Sequence, residues 1–209
     1  MKYGLVVFDF DGTLADSFPW FAGAINQLAD RYKFNRVAPH EFDTLRRWDS
    51  QTILKHLRVP FWKIPLMGAH MRALMNQNIQ HIHPFAGVQQ LLPLLAERGA
   101  KLGMVSSNSF ENIQLVLGAD NARLFTYCEC WVSIWGKPGR LRKILRQSCV
   151  PPKAAIYIGD EMRDMEAARA VGMRSGAVAW GYAHLDALQT RLPDEIFLHV
   201  NELSDRLTK

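Results

Sequence analysis

Short apolar runs that each stop at a polar residue recur along this 209-residue chain, and they restrict its fold more than any other feature. Such runs are typical of strands that are buried on both faces of a parallel sheet. The clearest are Leu5-Val6-Val7-Phe8 before Asp9, residues 101–105 before Ser106, and residues 154–158 before Gly159 and Asp160. Weaker runs cover residues 175–179 and 196–200. We therefore predict buried strands at these five places.

Amphipathic helical patterns lie between the apolar runs. One covers residues 88–95, where Pro93 predicts a kink or an early start, and another begins at the capping residue Ser109 and stops at Gly118. Alternating strands and helices predict an α/β fold, namely a Rossmann-like, doubly wound, mostly parallel sheet with right-handed crossovers. Ligands of such sheets bind at the carboxyl ends of the strands, where this chain carries polar residues.

Residues 15–82 break the alternation and show no convincing strand. Their apolar spacing is helical, most clearly in residues 18–32, 52–57 and 66–79. We predict a small all-helical cap domain over residues 15–82, inserted into an α/β core that comprises residues 1–14 and 83–209.

Composition narrows the classes of protein to consider. Hydrophobic residues make up 48% of the chain, yet no apolar run approaches the roughly 20 residues that span a membrane. The first apolar stretch is too short for a signal peptide, and three cysteines do not form a full disulfide framework, so we expect a cytoplasmic protein with no membrane partner. The net charge of +5 is expected to disperse over the surface, which makes a nucleic-acid partner unlikely. The sequence leaves the oligomeric state open.

Carboxylates gather at two of the predicted strand ends. Asp9 and Asp11 lie two residues apart before Gly12, and Asp160 and Asp164 follow the third apolar run. Carboxylates that repel one another need a metal ion or a shared proton. A surface turn is the alternative for the first pair, and a helix cap is the alternative for the second. An oxygen-rich pocket of this kind favours magnesium.

Groups that suit a phosphate follow the second apolar run. Hydroxyls and backbone N–H groups of Ser106, Ser107 and Asn108 would form an anion site. The alternative is that residues 107–109 serve only as a cap for the next helix. Lys137 lies between a strand-like stretch, residues 128–134, and a basic helix. A lysine there would neutralise phosphate charge, with Arg140 and Lys143 as backup candidates for this role, and an exposed loop lysine is the alternative.

These residues occur in an order that resembles a known family. The first stretch reads Phe8-Asp9-Phe10-Asp11-Gly12-Thr13-Leu14-Ala15-Asp16-Ser17, and Ser106, Lys137 and Gly159-Asp160 with Asp164 follow it. They resemble the four motifs of the haloacid-dehalogenase-like hydrolase superfamily. Pro84-Phe85-Ala86-Gly87-Val88 and Ala179-Trp180-Gly181-Tyr182 resemble its phosphoglycolate-phosphatase-like branch. The resemblance covers nearly the whole chain and matches the helical insertion to the cap of that branch.

The resemblance implies a Mg²⁺-dependent phosphatase that hydrolyses a small phosphorylated metabolite through an aspartyl-phosphate. Asp9 would be the nucleophile, and Asp11 would protonate the leaving oxygen and then activate water. Ser106 and Lys137 would offset negative charge. The metal would be held by Asp9, the backbone carbonyl of Asp11, and Asp160, with Asp164 binding it through water or supporting another ligand.

Further residues are predicted to bind the substrate. Within the matched motifs these are Gly12, Thr13, Ser107 and Asn108. Arg46 and Arg47 lie between two predicted cap helices and are candidates for an anionic substrate group; a solvated basic helix end is the alternative.

Two other functions compete with the phosphatase. A sugar-phosphate mutase would use the same nucleophile and acid. A non-catalytic binding or regulatory protein could share the fold, but it would have no physical need to keep Asp9, Asp11 and Asp160 together.

Overall fold

A computed structural model describes residues 1–208 and contains a six-stranded, all-parallel sheet. The strands within this range are β1 (Leu5–Phe8), β2 (Ala15–Asp16), β3 (His83–Pro84), β4 (Lys101–Val105), β5 (Phe125–Glu129), β6 (Ala155–Gly159), β7 (Arg174–Val178) and β8 (Glu195–Phe197). The sheet order is β5-β4-β1-β6-β7-β8, so β1 lies between β4 and β6. The predicted α/β fold is confirmed.

The α-helices within residues 1–208 are α1 (Phe18–Tyr32), α2 (Phe42–Leu45), α3 (Ser50–His56), α4 (Ile64–Gln77), α5 (Val88–Glu97), α6 (Phe110–Leu117), α7 (Ala119–Arg123), α8 (Lys137–Ser148), α9 (Met162–Ala170), α10 (Leu185–Gln189) and α11 (Val200–Leu207). Helices that follow α4 cover both faces of the sheet. Across residues 1–208, no helix is both long enough and apolar enough to cross a membrane.

The side chains of β1 alternate between two separate apolar cores, as expected for a strand. Val6 and Phe8 pack in the core that includes residues of α5, α6 and α11. Leu5 and Val7 point to the other face and pack in the core that includes residues of α8 and α9. Because both faces of β1 are fully buried, the strand is apolar until it reaches Asp9.

The predicted helix start at Ser109 is confirmed, and the helix predicted over residues 88–95 is present. The Ser109 side chain accepts a hydrogen bond from the Asn112 N–H, and α6 stops before Gly118. Helix α5 starts at Val88 and continues through Pro93, and a kink at Pro93 stays a prediction. Proline removes the N–H that would bond to the Gln89 carbonyl, and the Asn121 side chain donates to that carbonyl at 3.3 Å instead.

The strand predicted over residues 128–134 is wrong beyond Glu129. The chain leaves the sheet there, because Trp131 takes a left-handed conformation with φ of 58°. The Trp131 N–H donates to the Asn108 carbonyl, and the Val132 N–H donates to the Ser106 carbonyl. These bonds fold the segment back over the carboxyl end of β4.

Residues 15–82, which we call the helical segment, contain α1 to α4. These helices enclose an apolar core of their own, which includes Leu28, Tyr32, Leu57 and Met67. One detail of the prediction is wrong, because Ala15–Asp16 forms a short strand that pairs antiparallel with His83–Pro84. This ladder ties together the two connections between the helical segment and the sheet.

Candidate active site

The carboxyl ends of adjacent strands bring distant acidic residues together. Asp9 follows β1 and Asp160 follows β6, its direct neighbour in the sheet, while Asp164 lies in the first turn of α9. One carboxylate oxygen from each of the three lies within 4.8 Å of the others, and all three side chains are buried. We call these three residues the carboxylate cluster.

Lys137 reaches this cluster from the first turn of α8. Its Nζ donates to Asp9 Oδ2 at 2.5 Å and also to Asp164 Oδ1. The lysine is only 1% exposed, so it is not the exposed loop lysine that was the alternative. Burial alone would lower the pKa of Lys137, but the Asp164 and Asp9 carboxylates outweigh it and raise the pKa above its usual range. The ammonium therefore stays charged.

Asp160 is held by groups from two other loops. The Thr13 hydroxyl donates to Asp160 Oδ1 at 2.7 Å, and the Tyr182 N–H donates to Asp160 Oδ2 at 2.7 Å. Gly12, with φ of 73°, passes so close that a Cβ there would lie 2.1 Å from Asp160 Oδ2. Only glycine fits this approach. Gly12 and Thr13 thus shape the surroundings of Asp160.

Both carboxylate oxygens of Asp164 accept hydrogen bonds from protein groups. Its Oδ2 accepts from the Glu161 N–H at 3.0 Å, and its Oδ1 accepts from the Tyr157 hydroxyl at 3.1 Å as well as from Lys137. Burial would raise the pKa of Asp164, but Lys137 and Arg163 more than offset it and lower the pKa. Asp164 is therefore ionised and fixes the position of the lysine.

Asp11 lies beside the 106–108 loop. Asn108 Nδ2 donates to Asp11 Oδ2 at 3.0 Å, and the Asn108 N–H donates to the Ser106 hydroxyl at 3.0 Å. Burial raises the pKa of Asp11, although hydrogen bonds from Ser17 and Asn108 oppose it. A raised pKa suits a carboxyl group that must give and take a proton near neutral pH.

The site holds more negative charge than the protein neutralises. Three carboxylates face the Lys137 ammonium, while the nearby Arg163 guanidinium pairs with Glu161, and burial raises the pKa of Asp9 to about 7 even though Lys137 acts in the opposite direction. Burial and the charge of Asp9 together raise the pKa of Asp160 well above its ordinary value. Hard carboxylate oxygens with uncompensated charge are the donor set that Mg²⁺ takes in proteins. The residues present fit this ion.

Arg46 and Arg47, which were predicted to bind the substrate, form their contacts with protein groups. Arg46 Nε and Nη2 donate to the carbonyls of Tyr182 and Gly181 at 2.7 and 2.8 Å, and Arg47 forms ion pairs with Asp186 and Asp43. These contacts join the end of α2 to the core and give both arginines protein partners. Ser107 contributes its backbone carbonyl, which accepts from Arg72.

Sequence reasoning missed several residues of the site. Tyr157 is buried in β6 within an apolar run, and nothing in that run indicates that its hydroxyl bonds to Asp164. Arg163 lies next to Asp164 and was unassigned. Arg72 gives no local signal, whereas Tyr182 was already visible in the stretch that resembles the family branch.

Comparisons with known proteins match this chain to one family over most of its length. The family described as "Haloacid dehalogenase-like hydrolase" matches residues 6–178. A phosphoglycolate phosphatase of Synechococcus elongatus is 31% identical over 205 residues, covering 98% of this chain and 97% of that protein. A phosphoglycolate phosphatase of Xylella fastidiosa is 30% identical over 209 residues, with 91% and 87% covered. The crystal structure of a hydrolase from Pseudomonas syringae has the same fold, with a TM-score of 0.77 at 19% identity and 98% and 97% covered.

Proposed function

We propose that this chain, which belongs to the haloacid dehalogenase-like hydrolase family and to its phosphoglycolate-phosphatase-like branch, is a magnesium-dependent phosphatase of small phosphomonoesters. Membership makes the chain a phosphoric monoester hydrolase. The observation that carries the finer proposal is the buried carboxylate cluster with Lys137 between two of its members.

Asp9 is the proposed nucleophile. The Phe10 N–H donates to Asp9 Oδ1 at 2.8 Å and Lys137 donates to Asp9 Oδ2, so the carboxylate is held in one orientation. Its attack on phosphorus forms an aspartyl-phosphate and expels the alcohol. Lys137 would offset the charge repulsion between a carboxylate and a phosphate, and the Ser106 hydroxyl would donate to a phosphate oxygen.

Asp11 is the proposed acid and base. Its raised pKa allows it to give a proton to the leaving oxygen, and the resulting carboxylate then takes a proton from the attacking water. Asn108 orients the Asp11 carboxyl through its side-chain amide.

Asp9, Asp160 and the backbone carbonyl of Asp11 would hold Mg²⁺. Asp164 is occupied by Lys137, Tyr157 and the Glu161 N–H, so it suits contact through water. The ion would supply positive charge to the transferring phosphoryl group.

We further propose that the helical segment, residues 15–82, is a cap that excludes water from the site. The related phosphoglycolate phosphatases make 2-phosphoglycolate the first substrate to test. The assignment of Arg46 and Arg47 to substrate binding stays a prediction.

Metal removal provides the test. We expect excess chelator to abolish phosphate release from 2-phosphoglycolate and from p-nitrophenyl phosphate, and magnesium to restore it. Calcium should restore little activity, because its larger and looser coordination shell misplaces the nucleophile. The measurement is inorganic phosphate released per unit time. If a sugar phosphate is the substrate and its phosphate stays on the sugar, the protein would instead be a mutase.

A pair of variants links this metal dependence to the cluster. Asp160→Asn should raise the magnesium concentration for half-maximal activity by at least about tenfold. The control is Asp120→Asn, since Asp120 is fully exposed in α7 and forms an ion pair with Arg123. Full activity in excess chelator would contradict the proposal.

A further inference from the structure

Arg72 on α4 lies beside the site and has no acidic partner among residues 1–208. Its Nη1 donates to the Ser107 carbonyl at 3.1 Å, and its guanidinium carbon lies 4.3 Å from the centre of the Trp131 ring. Its Nε is buried and has no hydrogen-bond partner within residues 1–208. One carbonyl and one aromatic face therefore support the charge, and part of the donor set is free.

Two other arginines have the acidic partner that Arg72 lacks within residues 1–208. Arg47 pairs with Asp186, and Arg163 pairs with Glu161. Burial lowers the pKa of Arg72, and in the described part of the chain no acidic neighbour offsets it. An arginine held in this way carries uncompensated positive charge, which an anionic ligand group would neutralise.

Contacts of the last turns of α4 place Arg72 beside the catalytic residues. The Met75 sulfur accepts from Asn108 Nδ2 at 2.8 Å, and the same Asn108 amide donates to Asp11. The Arg72 carbonyl accepts from Asn112 Nδ2 at 3.1 Å, which fixes this part of α4 against α6. Arg72 thus comes from the helical segment and lies over the loop that carries Ser106 and Asn108.

The backbone conformation of Trp131 supports a functional role for the Arg72–Trp131 contact. Its φ of 58° lies in the left-handed region, which disfavours a bulky side chain. The chain nevertheless keeps a tryptophan there, 60% exposed, with the Arg72 guanidinium over its ring. Backbone strain of this kind is found where a side chain must be aimed.

We infer that Arg72 is a specificity-determining residue, which binds the carboxylate on the leaving group of 2-phosphoglycolate, the substrate put forward above. This inference rests on the proposed function. Lys137 contacts Asp9, the proposed nucleophile, and therefore lies where the phosphoryl group would bind. Arg72 is a second cation, so we assign it to the other anionic group of the substrate, the carboxylate. The planar guanidinium fork matches a carboxylate in shape and charge.

The test compares two esters that differ in the carboxylate. They are 2-phosphoglycolate and 2-hydroxyethyl phosphate, in which CH₂OH replaces the carboxylate. Arg72→Met should raise KM for 2-phosphoglycolate by roughly 10- to 100-fold, the effect of losing a charge-assisted hydrogen bond, with a smaller change in kcat. KM for 2-hydroxyethyl phosphate should change less than about threefold, and the wild-type protein should prefer 2-phosphoglycolate.

Two further variants sharpen the comparison. Arg72→Lys keeps the charge but loses the planar fork, so its KM for 2-phosphoglycolate should lie between those of the wild-type protein and Arg72→Met. If Arg72→Met does not fold, Arg72→Lys replaces it in the comparison, because the lysine can still donate a hydrogen bond to the Ser107 carbonyl. The matched control is Arg36→Met, which removes an exposed arginine of the helical segment that pairs with Asp30.

Several outcomes would overturn the inference. Equal losses on both esters would make Arg72 a residue that only holds α4 on the core, and unchanged kinetics would remove it from the site. Magnesium-dependent hydrolysis of p-nitrophenyl phosphate without preference for the carboxylate ester would overturn the inference and leave the proposed function standing. Failure to hydrolyse any of the three esters would overturn both.

Discussion

Asp9→Asn is expected to lower kcat by at least about 10⁴-fold and to prevent formation of a phospho-enzyme. The amide is nearly isosteric with the carboxylate and can still accept from the Phe10 N–H, so the fold should survive. Its oxygen carries no full negative charge and does not attack phosphorus. The loss therefore reports the missing nucleophile.

Asp11→Asn should fail at a different step. Asp9 and its contacts to Lys137 remain, so the nucleophile is intact. With p-nitrophenyl phosphate the leaving group needs little protonation, and the aspartyl-phosphate should form. Its hydrolysis lacks the general base and should slow by about 10²–10⁴-fold, so the intermediate accumulates. Intact-protein mass spectrometry after a rapid acid quench should find one added phosphoryl group.

The Asp120→Asn variant is the control, since it removes an exposed carboxylate of α7. It should turn over normally and show no lasting adduct. A phosphoryl group found on another residue of the Asp9→Asn variant would refute the assignment of Asp9.

The location of the site could be predicted because of one property of parallel sheets. Adjacent parallel strands carry their carboxyl ends to the same edge, so the polar residues after β1, β4 and β6 had to lie close together. Asp9, Ser106 and Asp160 are each the first polar residue after a buried run. The cluster also requires that β1 lie between β4 and β6, and this strand order was not predicted from the sequence.

Contacts across the helical segment could not be predicted in the same way. Arg72 is 35 residues from Ser107 in sequence, and helical periodicity says which residues share a face but not what that face meets. Tyr157 lies in a strand that is apolar as a whole, so its hydroxyl bond to Asp164 depends on tertiary packing. The strand predicted beyond Glu129 failed because Trp131 adopts a positive φ, which propensity disfavours.

Lys137→Met is expected to lower the free energy of unfolding by about 3–5 kcal/mol in metal-free buffer, because it leaves Asp9 and Asp164 buried without their cation. It should also lower kcat by at least about 10²-fold, since the charge that offsets the phosphate is lost. Urea unfolding in chelator measures the first effect, and phosphate release with magnesium measures the second.

The pH dependence of this destabilisation has a definite sign. Lys137 and Arg163 together hold the folded pKa of Asp164 below its ordinary value of 3.8, so this group stabilises the protein above that value. Loss of Lys137 removes the largest effect that opposes burial, so we expect the folded pKa of Asp164 to rise and the ionised carboxylate to stabilise the fold less at neutral pH. The difference in unfolding free energy between the two proteins should therefore widen from pH 5 to pH 8 and shrink as acid protonates the carboxylates.

Lys143→Met is the matched control. Lys143 lies on the same helix, is 44% exposed and pairs with Glu129 at 2.5 Å, so its loss should cost no more than about 1 kcal/mol. Magnesium should restore part of the stability of Lys137→Met, since a cation that binds only the folded carboxylates stabilises them, but it should not restore kcat. Equal effects of the two substitutions would show that the buried ammonium neither holds the carboxylates together nor assists the transfer.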